Sequence, residues 1–250
     1  MRNDAENAGQ GGRLRVILGA SCYPDAEAAL ALALDLARQT GAELHGVFVR
    51  ETALLAAGYA HSRVVTYSGQ RQTGLTAGAL AKAFQADARR FEGLLARRAK
   101  AAALVSSFRE AEGHLQEELR RCAAAGDILI SGFKPILPAA GCIAVILAEG
   151  QAVPGFALRL ARSARKPLVA LVACAPEAQT GPGAAPAAKP AGPPDDVAET
   201  RLCAQPEVLL RQLEHMSPVA VIVAAPLAGL PPPARIQEAA RCPLVLRSGG

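Results

Sequence analysis

The stretch LRVILGASCYPDAEAALALALDLARQTGAELHGVFV, Leu14 to Val49, decides the fold. Leu14 to Gly19 (LRVILG) is a short aliphatic run after a polar tail, which predicts a strand. Pro24 and Asp25 then open a helix. Proline suits the first helical turn, and a carboxylate is favoured at its positive end. Ala26, Ala29, Leu30, Ala33, Leu34 and Ala37 recur at helical spacing, and Gly41 provides the stop. Glu43 to Val49 (ELHGVFV) predicts a second strand. A strand, a helix and a strand in this order form a β-α-β unit, with parallel strands and a right-handed crossover.

The pattern continues outward. Arg50 to Gly74 reads as a polar connection, and Thr76 as the cap of a long helix. Leu80, Phe84, Phe91 and Leu95 point that helix inward, while Arg89, Arg90, Arg97, Arg98 and Lys100 fall on its remaining surface. Leu104 to Arg109 predicts a third strand, Gly113 to Ala125 a helix, and Asp127 to Ser131 (DILIS) a fourth strand. The second half repeats this layout. Ile143 to Leu147 (IAVIL) resembles the first strand. Ala33-Leu34-x-Leu36-Ala37-Arg38 recurs as Ala157-Leu158-x-Leu160-Ala161-Arg162, and Leu44 recurs as Leu168 at the same offset. Leu115, Leu119 and Ile128 recur at a shorter offset as Leu209, Leu213 and Ile222. An ordered series of matches argues for duplication. The long basic helix has no counterpart in the second copy, which is therefore expected to be truncated. In its place Ala175 to Glu199 is rich in Pro, Ala and Gly and is expected to be a mobile loop. Val219 to Ala224 predicts a strand, Pro233 to Arg241 a short helix, and Pro243 to Arg247 a last strand.

Composition narrows the function classes. The chain has 250 residues, 51% hydrophobic and 20% charged, enough apolar material to exclude wholesale disorder. A formal net charge of +5 permits an anionic partner without naming one. Met1 to Gly12 is polar, expected to be a disordered tail, and has no apolar core of a signal peptide. No apolar run approaches the roughly 20 residues of a membrane helix. A cytoplasmic location without membrane contact is the expectation. Six scattered cysteines, no CxxC and four unclustered histidines argue against a metal site and for reduced thiols. With 4% aromatic residues and no helix-turn-helix or RNA-recognition pattern, nucleic acid is not an expected partner. The arginine-rich helix reads as a solvated face.

The order of these elements resembles the universal stress protein family, as two tandem domains. The features that carry the resemblance are RVILGAS, PDAEAALALALDLARQTG, AELHGVFV, HLQEELRRCAAAGDILISG and the closing RCPLVLR. VRETALLAAGYAHSR is also similar to the segment after the second strand in two-domain bacterial members. The resemblance covers Arg13 to Gly132 well and the rest loosely. It implies two Rossmann-like three-layer α/β domains with mainly parallel sheets: 13–138, and a degenerate 139–250 carrying the loop 175–199. Members of the family pair as dimers, often through the last strand, so a homo- or hetero-dimer with another such chain is an expected partner. Between Ile130 and Ile143 there is no room for the helix and fifth strand that normally close the first copy. Either the second half or another chain must complete that sheet.

Many family members bind ATP with an acidic residue after the first strand and a Gly-x2-Gly-x9-Gly-Ser/Thr stretch after the fourth. Glycines let backbone amides approach phosphates. Here Gly132 matches the first glycine, but Pro135 stands at the second and has no N–H. No Ser or Thr occurs from Gly132 through Arg162. The end of the first strand reads Gly19-Ala20-Ser21 instead of carrying an acid, and the second copy reads Ala148-Glu149-Gly150. Gly229 is followed by Pro231, Pro232 and Pro233. No ATP binding of the family type and no cofactor are expected. Ligands of open α/β sheets sit at the carboxyl ends of strands where the order reverses. That rule nominates Gly19, Ala20, Ser21, Gly132 and Lys134 for a small ligand. Cys22 precedes a helix start, a position that can activate a thiol, though a passive role is favoured. No catalytic motif is present. The expected function is a non-enzymatic, ligand- or partner-binding protein of stress adaptation. The alternative is a nucleotide-binding switch or enzyme with a degenerate phosphate loop.

Overall fold

The computed structural model describes residues 13–52, 63–65, 71–73, 77–135, 141–173, 197–224 and 228–248. The expected tail 1–12, the cap Thr76 and most of the loop 175–199 lie outside them.

The opening β-α-β unit forms as its sequence dictates. Strand β1 (Arg15–Ala20) leads into helix α1 (Tyr23–Thr40), and β2 (Glu43–Glu51) pairs parallel to β1 with Arg15 opposite Glu43. Pro24 sits in the first turn of α1, and Gly41 closes it in the left-handed region at φ 65°. Ala26, Ala29, Leu30, Ala33, Leu36 and Ala37 are the buried stripe. Leu36 therefore takes the inward place expected of Leu34, which is half-buried.

The first half continues with a small antiparallel hairpin, β3 (Arg63–Val65) and β4 (Arg71–Thr73), inside the stretch expected as a plain connection. The long helix α2 (Ala77–Ala101), β5 (Ser106–Gly113), α3 (Leu115–Cys122) and β6 (Ile128–Ser131) follow. The second half runs β7 (Ile143–Ala148), α4 (Gly155–Ala164), β8 (Leu168–Ala173), β9 (Glu199–Cys203), α5 (Pro206–Met216), β10 (Ala220–Val223), α6 (Pro233–Ala240) and β11 (Leu244–Arg247). Strand β9 begins at Glu199, the last residue of the segment expected as a loop.

Nine strands form one sheet in the order β5-β2-β1-β6-β11-β10-β7-β8-β9. The first half lays down its third, second, first and fourth large strands. The second half lays down third, second, first, fourth and fifth, in the mirrored direction across the sheet. The shortening expected of the second copy thus falls on its helical layer, where α2 has no counterpart among the described residues, and not on its strands. All neighbours are parallel except β6 and β11, which pair antiparallel with Ser131 opposite Leu244. The first sheet is therefore completed from within the chain: β11 is flanked by β10 on one side and β6 on the other.

Two cores line the two faces of this mainly parallel α/β sheet, as a sheet covered on both sides requires. Leu18, Phe48, Phe91 and Val245 belong to the core beneath α1, α2 and α4. Ile17, Leu119, Leu213, Ile236 and Leu244 belong to the core beneath α3, α5 and α6. Because β11 alternates, it serves both cores: Val245 faces one, Leu244 and Leu246 the other. The seam is extended at its far end by Ser248 N–H donating to Asp127 O at 2.8 Å and Gly126 N–H donating to Ser248 O at 3.0 Å.

Candidate functional site

The strand order reverses between β1 and β6 in the first half and between β7 and β10 in the second. At the first reversal the structure brings the nominated residues together. Gly132 N–H donates to Gly19 O at 2.8 Å. The glycines there are needed for close packing. A Cβ on Gly132 would stand 2.8 Å from Asp25 O, and one on Gly19 would stand 2.6 Å from Leu119 Cδ2. Ala20 is buried and Ser21 half-buried.

The donors that would greet a phosphate are occupied. Lys134 N–H donates to Asp25 Oδ1 at 2.7 Å, and Tyr23 N–H, the first amide of α1, donates to Asp87 Oδ2 of α2 at 3.0 Å. The first amide of α1 is therefore already held by the Asp87 carboxylate, as a bound anion would hold it, and Asp25 in the same turn places a second negative charge there. Cys22 lies beside them. Burial, then the charge and hydrogen bond of Asp25, push its thiol up to about 12, so the thiolate form that a redox role needs is disfavoured.

Behind this loop lies a buried amide–hydroxyl cluster linking β6 to α3 and α6. Gln237, 9% exposed, donates Nε2–H to Ser131 O and to Gly132 O, both at 3.0 Å. Its Oε1 accepts from Ser131 Oγ at 2.8 Å and from Gln116 Nε2 at 3.4 Å. Gln116 Nε2 also donates to Ser131 Oγ at 3.1 Å.

The second reversal is bridged as well. Ala148 N–H donates to Gln151 Oε1, and Gln151 Nε2 donates to Ala224 O, both at 2.9 Å, so one side-chain amide spans the ends of β7 and the chain leaving β10. Glu149, which stands where the second copy could have offered its acid, is exposed. Helix α6 opens on Pro232 and Pro233, removing N–H donors from the terminus that would face a phosphate. A nearby cavity of about 150 Å³ between Cys203, Pro206 and Gly229 is smaller than the roughly 300 Å³ at which ligand pockets begin.

One open cleft adjoins the first reversal. It holds about 500 Å³ and is lined by Glu51, His114, Gln116, Arg120, Phe133 and Gln237 among others. The α3 end of the cleft is also capped internally, since Leu115 N–H donates to Glu51 Oε1 at 3.1 Å and His114 Nδ1 lies 3.3 Å from Glu51 Oε2. Sequence reasoning found the loop positions but missed the side chains that close them: Asp25 as an acceptor, Asp87, Gln151 and Gln237. Nothing in a helical or strand period marks a glutamine as a bridge between two strand ends.

Among the described residues no three His, Cys, Asp or Glu side chains gather as a metal site, and no helix is long and apolar enough to cross a membrane. The described cysteines are free thiols.

No protein-family model matches the chain, and no curated protein matches it. Several solved structures align with most of the chain at low similarity. A universal stress protein from Archaeoglobus fulgidus aligns over 94% of this chain and 96% of its own, with 8% identity and a TM-score of 0.44. A putative universal stress protein from Pseudomonas aeruginosa aligns over 94% and 93%, with 10% identity and a TM-score of 0.44. The cytoplasmic domain of a prokaryotic cation chloride cotransporter aligns over 94% and 96%, with 11% identity and a TM-score of 0.41. Likenesses at this level do not carry function, and the fold stated above rests on the strand order itself.

Proposed function

We propose that this chain is a non-enzymatic protein of the universal-stress-protein-like type, built as two tandem copies joined into one sheet. It acts in stress adaptation by binding a small ligand or a partner, without ATP. The stress setting comes from the sequence resemblance. The observation that supports loss of nucleotide binding is that both reversals are closed by the chain itself. Gly132 N–H is spent on Gly19 O, Lys134 N–H on Asp25, Tyr23 N–H on Asp87, and Gln151 spans the other gap. A triphosphate would have to displace Asp87 from the first amide of α1 and bring its own negative charge beside Asp25. The open cleft near Phe133 is the place left for a small polar ligand at this edge.

Isothermal titration with MgATP tests the reading. No heat of binding up to millimolar nucleotide is expected. A micromolar affinity, or turnover of ATP by the purified chain, would restore the reading as a nucleotide-binding switch or enzyme.

A further inference from the structure

The seam between the halves carries a second concavity, on the face covered by α1 and α4. It holds about 600 Å³, within the range of small-molecule sites. One wall is α1, with Ala31 and Leu32; the other is the last turn of α4, with Leu160. Ile143 and Pro243 lie at its base, and Phe133, from the short link after β6, closes one end. Small residues on the facing helices leave this channel open: Ala28 and Ala31 on α1, Ala164 on α4. Both halves contribute, so neither copy alone would contain it.

The charged groups among its lining residues are Asp35 and Arg38. They are not equivalent. The Asp35 carboxylate accepts from Gln39 Nε2 at 3.0 Å and from Ser163 Oγ, a bond that ties α1 to α4. The Arg38 guanidinium is exposed and has no ion pair or side-chain hydrogen bond among the described residues. An apolar channel with an uncommitted guanidinium at its rim is complementary to an apolar body with one anionic head.

We propose that this seam groove binds an amphipathic monocarboxylate, a medium-chain fatty acid or a molecule of that chemistry, with the chain along the α1/α4 channel and the carboxylate on Arg38. The groove shares Phe133 with the cleft at the β1/β6 edge but uses none of the hydrogen bonds that close that loop, so it stands whether or not the non-nucleotide reading above does.

The test uses the full chain, dodecanoate as probe and dodecanol as its neutral counterpart, read by displacement of a fluorescent apolar dye and by isothermal titration. One-to-one binding of dodecanoate is expected, with dodecanol roughly tenfold weaker, because a charge-assisted bond to arginine is about twice as strong as a neutral one. Arg38→Gln should remove the preference for the acid while leaving the alcohol's affinity unchanged. Ala31→Phe, at an exposed position, should fill the groove and abolish binding of both while the melting temperature stays within a few degrees of wild type. Equal affinity for acid and alcohol, binding insensitive to both substitutions, or no binding at all would each overturn the proposal. MgATP titration of the same sample reports on the other reading independently.

Discussion

Gln237 is the residue through which the shared strand order can be tested most sharply. Its side-chain amide satisfies two backbone carbonyls at the end of β6, Ser131 O and Gly132 O, from a helix that belongs to the other half of the chain. Gln237→Leu keeps the volume and deletes every one of these bonds. Each buried carbonyl left without a donor costs about 1–3 kcal/mol, and the apolar replacement recovers part of that through burial. The net expectation is a loss of about 2–4 kcal/mol. For a chain of 250 residues this corresponds to roughly 4–16 °C in Tm. Urea unfolding followed by circular dichroism is the assay, with Cm and slope read separately. The chain should still unfold in one transition, since the sheet is continuous across β6 and β11. Gln237→Glu supplies the internal control. A carboxylate there faces two carbonyl oxygens and is stabilised only when protonated, so its folded-state pKa is raised above the unfolded value of about 4.3. The folded state then binds the proton more tightly, and the variant loses stability as pH rises from about 4 upward. It should be closer to wild type at pH 5 than at pH 8. A Tm change below about 2 °C for Gln237→Leu, with the slope unchanged, would refute the assignment of the seam to this amide.

Four further outcomes follow from the same contacts. Asp127→Ala should cost about 3–5 kcal/mol by chemical denaturation. Its buried carboxylate accepts from Arg15 Nη2 at 2.6 Å, Arg15 Nε at 3.1 Å, Arg15 N at 3.1 Å and Ala124 N at 2.8 Å. Gly132→Ala should destabilise by about 1–3 kcal/mol, because the added methyl meets the Asp25 carbonyl backbone rather than a flexible side chain; an unchanged Cm would mean the loop relaxes freely. Cys22 should alkylate slowly at pH 8 and accelerate only well above pH 10, since its thiol is raised to about 12. Cys22 and Cys242, both raised to about 12 from 9.0, should also make stability fall as pH climbs between those values. Their unfolded thiols lose protons there first, and alanine at both positions should flatten that slope.

The strands and most helices could be read from the chain because burial on a covered sheet imposes a period. IAVILA is aliphatic throughout and RVILGA is apolar from Val16 onward, since both faces of each strand are packed, and α1 shows its apolar stripe. Strand β9 (ETRLC) escaped notice for the opposite reason: it is an edge strand, only Cys203 of it is buried and Leu202 is 52% in solvent, so it carries no apolar run. Helix α3 ended at Cys122, not near Ala125, because Ala123 turns extended at φ −81° and ψ 138°. The candidate loop was legible as a place, since the carboxyl ends of β1 and β6 follow from topology. What fills it was not, because Asp87 reaches Tyr23 across 64 residues and Gln237 reaches Ser131 across 106. Such pairings have no local signature.

A single shortening accounts for two features that look unrelated. In the second half β10 is followed by a helix and then β11, whereas in the first half the next described element after β6 is β7. Among the described residues no helix or strand stands between β6 and β7. That difference leaves no described helix terminus after β6 to hold an anion and, with it, an edge of β6 to be covered. The edge cannot be left bare without inviting pairing by another chain. Strand β11 covers it, antiparallel, and is thereby paired on both sides. Both sides of β11 are therefore consumed within this chain, so any pairing of this sheet with another chain would have to use its outer strands, β5 or β9. A size measurement separates the cases. An association abolished by substitutions in β11 that leave the fold intact would contradict this arrangement, whereas one abolished at Leu202 on β9 would agree with it.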